Sequence, residues 1–128
     1  MLKEKQQLRI SPLGHSWILD FDGTLVEHNG YKTGDDKFLP GAKEFLQSIP
    51  KDDFVLIMTA REKAAKEKTV KFLNDNRIRF NEILFEMPMG ERILINDDKP
   101  SGLRCAYAIT PTRNQGLENL NVVVDENL

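Results

Sequence analysis

The sequence predicts an α/β domain with a mostly parallel sheet in three layers, and three observations carry that prediction. Short apolar runs alternate with segments of helical periodicity along the whole chain. Polar groups recur where apolar runs end: Asp20 and Asp22 after the first, Thr59 after the second, Asp97 and Asp98 after a later one. The length of 128 residues, with 40% hydrophobic residues, suffices for one core and hardly two, so residues 1–128 are read as a single domain.

Trp17-Ile18-Leu19 leads into Asp20 and is predicted as the first core strand. Residues 25–39 hold two Gly, several charges, a Tyr and a Phe, the composition of a loop or small hairpin. Pro40 suits the first turn of a helix, and Ala42, Phe45, Leu46 and Ile49 fall at i, i+3, i+4 and i+7 on one face before Pro50 closes it. Residues 54–58 are continuously apolar, the pattern of a strand covered on both sides. Residues 62–74 are predicted as a helix with Ala65, Val70, Phe72 and Leu73 available for packing. Further strands are predicted at 83–85, 92–96, 105–109 and 122–124. Strands alternating with helices favour parallel neighbours, and these deliver their C-terminal ends to one edge.

Composition narrows the function classes. A formal net charge of −2 shows no basic excess of the kind that nucleic acid or an anionic membrane attracts, and neither partner is favoured. The one cysteine, Cys105, rules out an internal disulfide and points to a reducing, cytoplasmic setting. Cys105 is expected as a small core residue of a strand. The start Met1-Leu2-Lys3-Glu4-Lys5-Gln6-Gln7 lacks the apolar core of a secretory signal. Two isolated histidines argue against a zinc cluster, and no Gly-rich loop ending in Gly-Lys-Ser/Thr is present.

The segment Asp20-Phe21-Asp22-Gly23-Thr24 carries the chemistry. Two carboxylates two residues apart at a strand end leave the sheet together at its mouth. One can attack phosphorus while the other handles the proton. Gly23 permits a sharp turn, and Thr24 offers a hydroxyl and an amide to an anion. Asp97 and Asp98, brought to the same edge, would make four carboxylates that repel one another unless a cation sits among them. Hard oxygen ligands with open positions suit Mg²⁺.

These residues resemble the haloacid dehalogenase superfamily of aspartate-nucleophile phosphotransferases. The first motif matches Asp20 to Thr24, the second matches Thr59 at the end of its apolar run, and the fourth matches Asp97-Asp98. The resemblance spans about residues 17–109. It implies a three-layer α/β/α, Rossmann-like fold and a phosphomonoesterase with Asp20 as nucleophile and Asp22 as general acid and base. It further implies Mg²⁺ held by Asp20, the backbone carbonyl of Asp22 and Asp97, with Asp98 binding directly or through water. Phosphate oxygens would be held by Thr59 and by amides near Gly23, Thr24 and Ala60. For the basic third motif Arg92 is favoured, Lys99 is a further candidate, and Lys63, Lys66, Lys68 and Lys71 read as a solvated helix face. Because Asp22 is present, carbon–halogen cleavage is disfavoured.

No interval is long enough for an inserted cap domain, which leaves a short flap over residues 26–39. Tyr31 and Lys32 on the flap, with Arg61, Lys99 and Arg113 at other loops, are the candidate substrate contacts. Capless members of the superfamily act on macromolecules or borrow a neighbouring subunit as a lid. The expected substrate is a small polar phosphorylated metabolite of the sugar or polyol phosphate type. The segment Leu94 to Pro100 is similar to small bacterial members associated with surface-polysaccharide synthesis, including capsule. The alternatives are a capless phosphatase for a phosphoprotein or a nucleic-acid 3′-phosphate, and a catalytically silent binding protein with the same fold.

Overall fold

The structure, a computed structural model, describes residues 5–128. The sequence expectation for the N-terminus begins in residues 1–4, which lie outside the described residues.

Among the described residues five short strands form two small parallel sheets, with helices between the strands of the larger one. That sheet has the order β2-β3-β4, with β2 over Ser16–Asp20, β3 over Phe54–Met58 and β4 over Glu82–Leu84. In its register Asp20 lies opposite Met58 and Met58 opposite Leu84, so the three C-terminal ends share one edge. The link from β2 to β3 carries a single-turn helix, α1 (Gly30–Thr33), and then α2 (Ala42–Ser48). The link from β3 to β4 carries a 3₁₀ turn (Lys63–Ala65) that runs into α3 (Lys66–Asp75). The second sheet pairs β1 (Gln6–Ile10) with β5 (Leu120–Val124), Gln6 opposite Leu120.

The odd-numbered side chains of the larger sheet build the core, because successive residues of a strand point to opposite faces. Val55, Ile57 and Ile83 are buried with Ala42, Leu46 and Ile49 around α2, Leu73 of α3, and Phe21, Leu25 and Val26 of the loop after β2. Trp17 packs edge-on against Phe45 with ring centres 5.7 Å apart. The helical face expected at Ala42, Phe45, Leu46 and Ile49 is thus the one that meets the sheet. On the even-numbered face Ile18, Phe54 and Leu84 stand exposed. This corrects the expectation that residues 54–58 are covered on both sides, and the third layer is not formed among the described residues.

A second correction concerns residues 92–96 and 105–109, expected as strands. Neither segment pairs with a neighbour, and Ile93 and Ile95 are 84% and 92% exposed. An apolar run makes a strand only where a sheet edge takes up its backbone groups, and none does so here. Cys105 accordingly lies half-buried in irregular chain instead of in a core strand.

The segment expected as a loop or small hairpin is stapled at its base. Leu39 donates its amide to the Leu25 carbonyl at 2.9 Å, Glu27 donates to Lys37 at 3.1 Å, and Val26 bridges Phe38 in antiparallel fashion. Residues 28–36 therefore project as a flap at the sheet mouth. No helix among the described residues is long and apolar enough to cross a membrane.

Candidate active site

Strand β2 ends at Asp20 because the chain turns tightly there: the Phe21 carbonyl accepts amides from Thr24, Leu25 and Val26, and Gly23 donates its amide to Val26 at 2.7 Å. The turn requires φ +84° at Gly23, where a Cβ would meet the Arg113 side chain at 3.0 Å. Phe21 buries its ring, and the flanking carboxylates remain at the mouth.

Asp20 has both oxygens oriented. Arg92 Nη1 donates to Oδ1 at 3.1 Å and Thr24 Oγ1 donates to Oδ2 at 2.9 Å. The Asp20 side chain is still 37% exposed, enough for an incoming group to reach it. Arg92 thus meets the expected nucleophile although the strand expected to follow it is absent. Thr24 orients Asp20 with its hydroxyl, while its amide and that of Gly23 are taken up inside the turn and do not face an anion. Thr59 is buried at the end of β3 and its hydroxyl oxygen accepts the Arg61 amide at 3.1 Å. Ala60 lies between them, exposed at the surface.

Asp22 faces a guanidinium, where carboxylates were expected to crowd it. Arg61 Nε donates to Asp22 Oδ2 at 2.9 Å and Nη2 to Oδ1 at 2.8 Å, a fork on fork. The same guanidinium grips the flap: Nη1 donates to Asp36 Oδ2 at 3.0 Å and Nη2 to Asp36 Oδ1 at 2.7 Å. Nη1 also donates to Thr69 Oγ1 of α3 at 2.8 Å. The Arg61 cation lies 3.8 Å from the Tyr31 ring centre and 4.7 Å from that of Phe21. Burial disfavours the Arg61 charge, but hydrogen bonds and Coulomb attraction from Asp22 and Asp36 outweigh it and hold its pKa above the ordinary value. Arg61 is 3% exposed, with every N–H engaged, so the expectation that it touches substrate is corrected. Tyr31, expected as a substrate contact, instead turns its ring onto Arg61.

Sequence reasoning missed Asp36 and Thr69, whereas Asn114 was expected with Arg113 at the edge of the site. Asn114 donates its amide to the Gly23 carbonyl and accepts the His28 amide on Oδ1, each at 2.8 Å, and so ties the loop bearing Arg113 to both the first-motif turn and the flap. Lys32 is exposed on α1. Lys99 closes a surface turn with Gly102 and Leu103.

The expected Mg²⁺ ligands do not fit a metal as they stand. Both carboxylate oxygens of Asp20 already accept a donor, from Thr24 and from Arg92. Asp97 and Asp98 line a shallow groove of about 480 Å³ with Arg104, Cys105 and Ala106, which neither Asp20 nor Asp22 borders. Among the described residues no three His, Cys, Asp or Glu side chains gather as a metal set. Comparison with known proteins gives no match to a protein family, to a curated protein or to a solved structure.

Proposed function

We propose that the chain is a phosphomonoesterase of the haloacid dehalogenase type, with a Rossmann-like core, no cap and a short flap. The observation that supports it is the pair of carboxylates at one strand end, each oriented by its own guanidinium: Asp20 by Arg92 and Asp22 by Arg61. Two acids of one type with different partners and different exposure are equipped for different work.

In this reading an Asp20 oxygen attacks phosphorus and the P–O bond to the leaving alcohol breaks. Asp22 gives its proton to the departing oxygen. Water then attacks the aspartyl phosphate, Asp22 takes one of its protons, and inorganic phosphate and free Asp20 result. Arg92 loses its carboxylate partner as Asp20 becomes a phosphoester, and it is placed to hold the new phosphoryl oxygens. The Ala60 amide and the Thr59 hydroxyl lie across the same edge. Arg113, over Gly23, is the cation best placed for the remainder of the substrate. A small sugar or polyol phosphate as substrate, a role in surface-polysaccharide synthesis and a cytoplasmic location belong to the same proposal; dependence on Mg²⁺ belongs to it only if Asp97 is brought to Asp20, which the comparison of Mg²⁺ with EDTA decides.

The test is phosphate release from a panel of phosphomonoesters, phosphopeptides and 3′-phosphorylated oligonucleotides, with Mg²⁺ and with EDTA, for the native chain and Asp20→Asn. Turnover lost in the variant supports the aspartate mechanism, and its loss in EDTA supports the metal. No release from any ester refutes the reading and leaves a binding protein.

A further inference from the structure

Arg61 joins three parts of the chain through one planar group. It forks onto Asp22 of the first-motif turn, forks onto Asp36 of the flap, and donates to Thr69 of α3. These five bonds engage all five guanidinium N–H donors. The Asp36 side chain is 1% exposed and points away from solvent, so it touches no substrate. Lys68 of α3 adds a second tie to the flap, donating to the Gly34 carbonyl at 3.0 Å.

Such a group cannot release one partner without consequence for the other. If the Asp36 fork opens, buried N–H donors lose their acceptors. The guanidinium then turns to recover them, and its fork on Asp22 turns with it. The same holds in reverse, because coupling between two sites is reciprocal. The Tyr31 ring, stacked on Arg61, moves with the flap and would uncover the cation when the flap lifts.

We propose that Arg61 and Asp36 are positioning residues that couple closure of the flap to the aim of the Asp22 carboxylate, so that the acid is correctly set only when the flap is down. The inference rests on the reading of Asp22 as the proton-handling group. It assigns Asp36, which is buried behind Arg61 and touches no reacting atom, an effect on proton delivery and none on nucleophilic attack.

Two measurements test it. The first compares kcat/KM for an alkyl phosphate, whose leaving group needs a proton, with that for p-nitrophenyl phosphate, whose leaving group does not. In Asp36→Asn the alkyl ester is expected to lose about 10²-fold, and the aryl ester less than about threefold. In Asp22→Asn/Asp36→Asn the second change is expected to add nothing to the first. Equal losses on both esters, or additive losses, overturn the proposal in favour of a merely structural Asp36. The second measurement is amide hydrogen exchange in Asp22→Ala. Amides of residues 30–36 are expected to exchange about tenfold faster, while those of 42–48 keep their native rates. Unchanged flap exchange, or equal acceleration in both segments, overturns the coupling. If the native chain hydrolyses neither ester, the phosphatase reading fails, and the exchange experiment still decides whether flap and Asp22 are linked.

Discussion

Replacing Arg61 with Met tests whether the guanidinium stabilises the fold as well as the site. The variant keeps much of the side-chain volume between Tyr31 and Phe21 and removes every donor. Asp36, 1% exposed, then loses its counterion, and Asp22 loses a fork of two bonds at 2.8 and 2.9 Å. Breaking a buried pair from one side costs about 3–5 kcal/mol, because the remaining charge is left without compensation. A small domain holds only about 5–15 kcal/mol in total, so the variant gives up a large share of its stability. With a urea dependence of about 2 kcal/mol per M, the unfolding midpoint falls by about 1.5–2.5 M. The assay is urea unfolding followed by far-ultraviolet circular dichroism. Adding Asp36→Asn to Arg61→Met restores part of the loss, because the stranded charge is removed with its partner. A loss below about 1 kcal/mol in the single variant would refute the reasoning, since it would mean that water reaches Asp36 and screens it.

Three further outcomes are expected. Thr24→Val removes the hydroxyl that donates to Asp20 Oδ2 at 2.9 Å, so steady-state assays should show turnover down about tenfold while the melting temperature stays near native. Gly41→Ala puts a Cβ 2.5 Å from the Glu118 amide nitrogen at φ +79°, and calorimetry should show a melting temperature several degrees lower. Asp125 is held below its ordinary value of 3.8 by the Asn127 amide first and then by Arg9, so its folded form favours the carboxylate. Its contribution to stability is present above pH 3.8 and disappears as pH falls through the lower folded value. The melting-temperature difference between the native chain and Asp125→Asn, followed against pH, should close in that acid range.

Much of the larger sheet was legible because its elements announce themselves locally. The helical spacing of Ala42, Leu46 and Ile49 and the apolar run at 54–58 needed no knowledge of the rest of the chain. Residues 92–96 show the limit of that reasoning. Their apolarity is as strong as that of β3, but a strand also needs an edge to pair with, and a run of side chains does not report one. Strand β1 was overlooked for the opposite reason: Gln6-Gln7-Leu8-Arg9-Ile10 has only two apolar positions and takes its partner from the far end of the chain. At the candidate site, Asp20, Asp22 and Arg92 were singled out from residue type and position, and Arg92 does meet Asp20. The role of Arg61 was not, because its partners Asp22 and Asp36 lie 39 and 25 residues away. The one local signal was Asp35-Asp36 in a loop that must return over the sheet mouth, next to an Arg that follows a strand end.

The pairing of β1 with β5 has a consequence for how the chain is made. Gln6 lies opposite Leu120, so β1 waits for a partner that is translated 114 residues later. At roughly 5–20 residues per second that delay is about 6–23 s, long compared with the microseconds in which a hairpin closes. The three-stranded sheet has all its strands by residue 84 and can assemble before the small sheet, which closes only once residues 120–124 are made. During the interval Leu8 and Ile10, buried in the finished fold, stay uncovered on a nascent chain. Chaperone binding to β1 is therefore expected on chains that have not yet presented β5 and not on the folded protein.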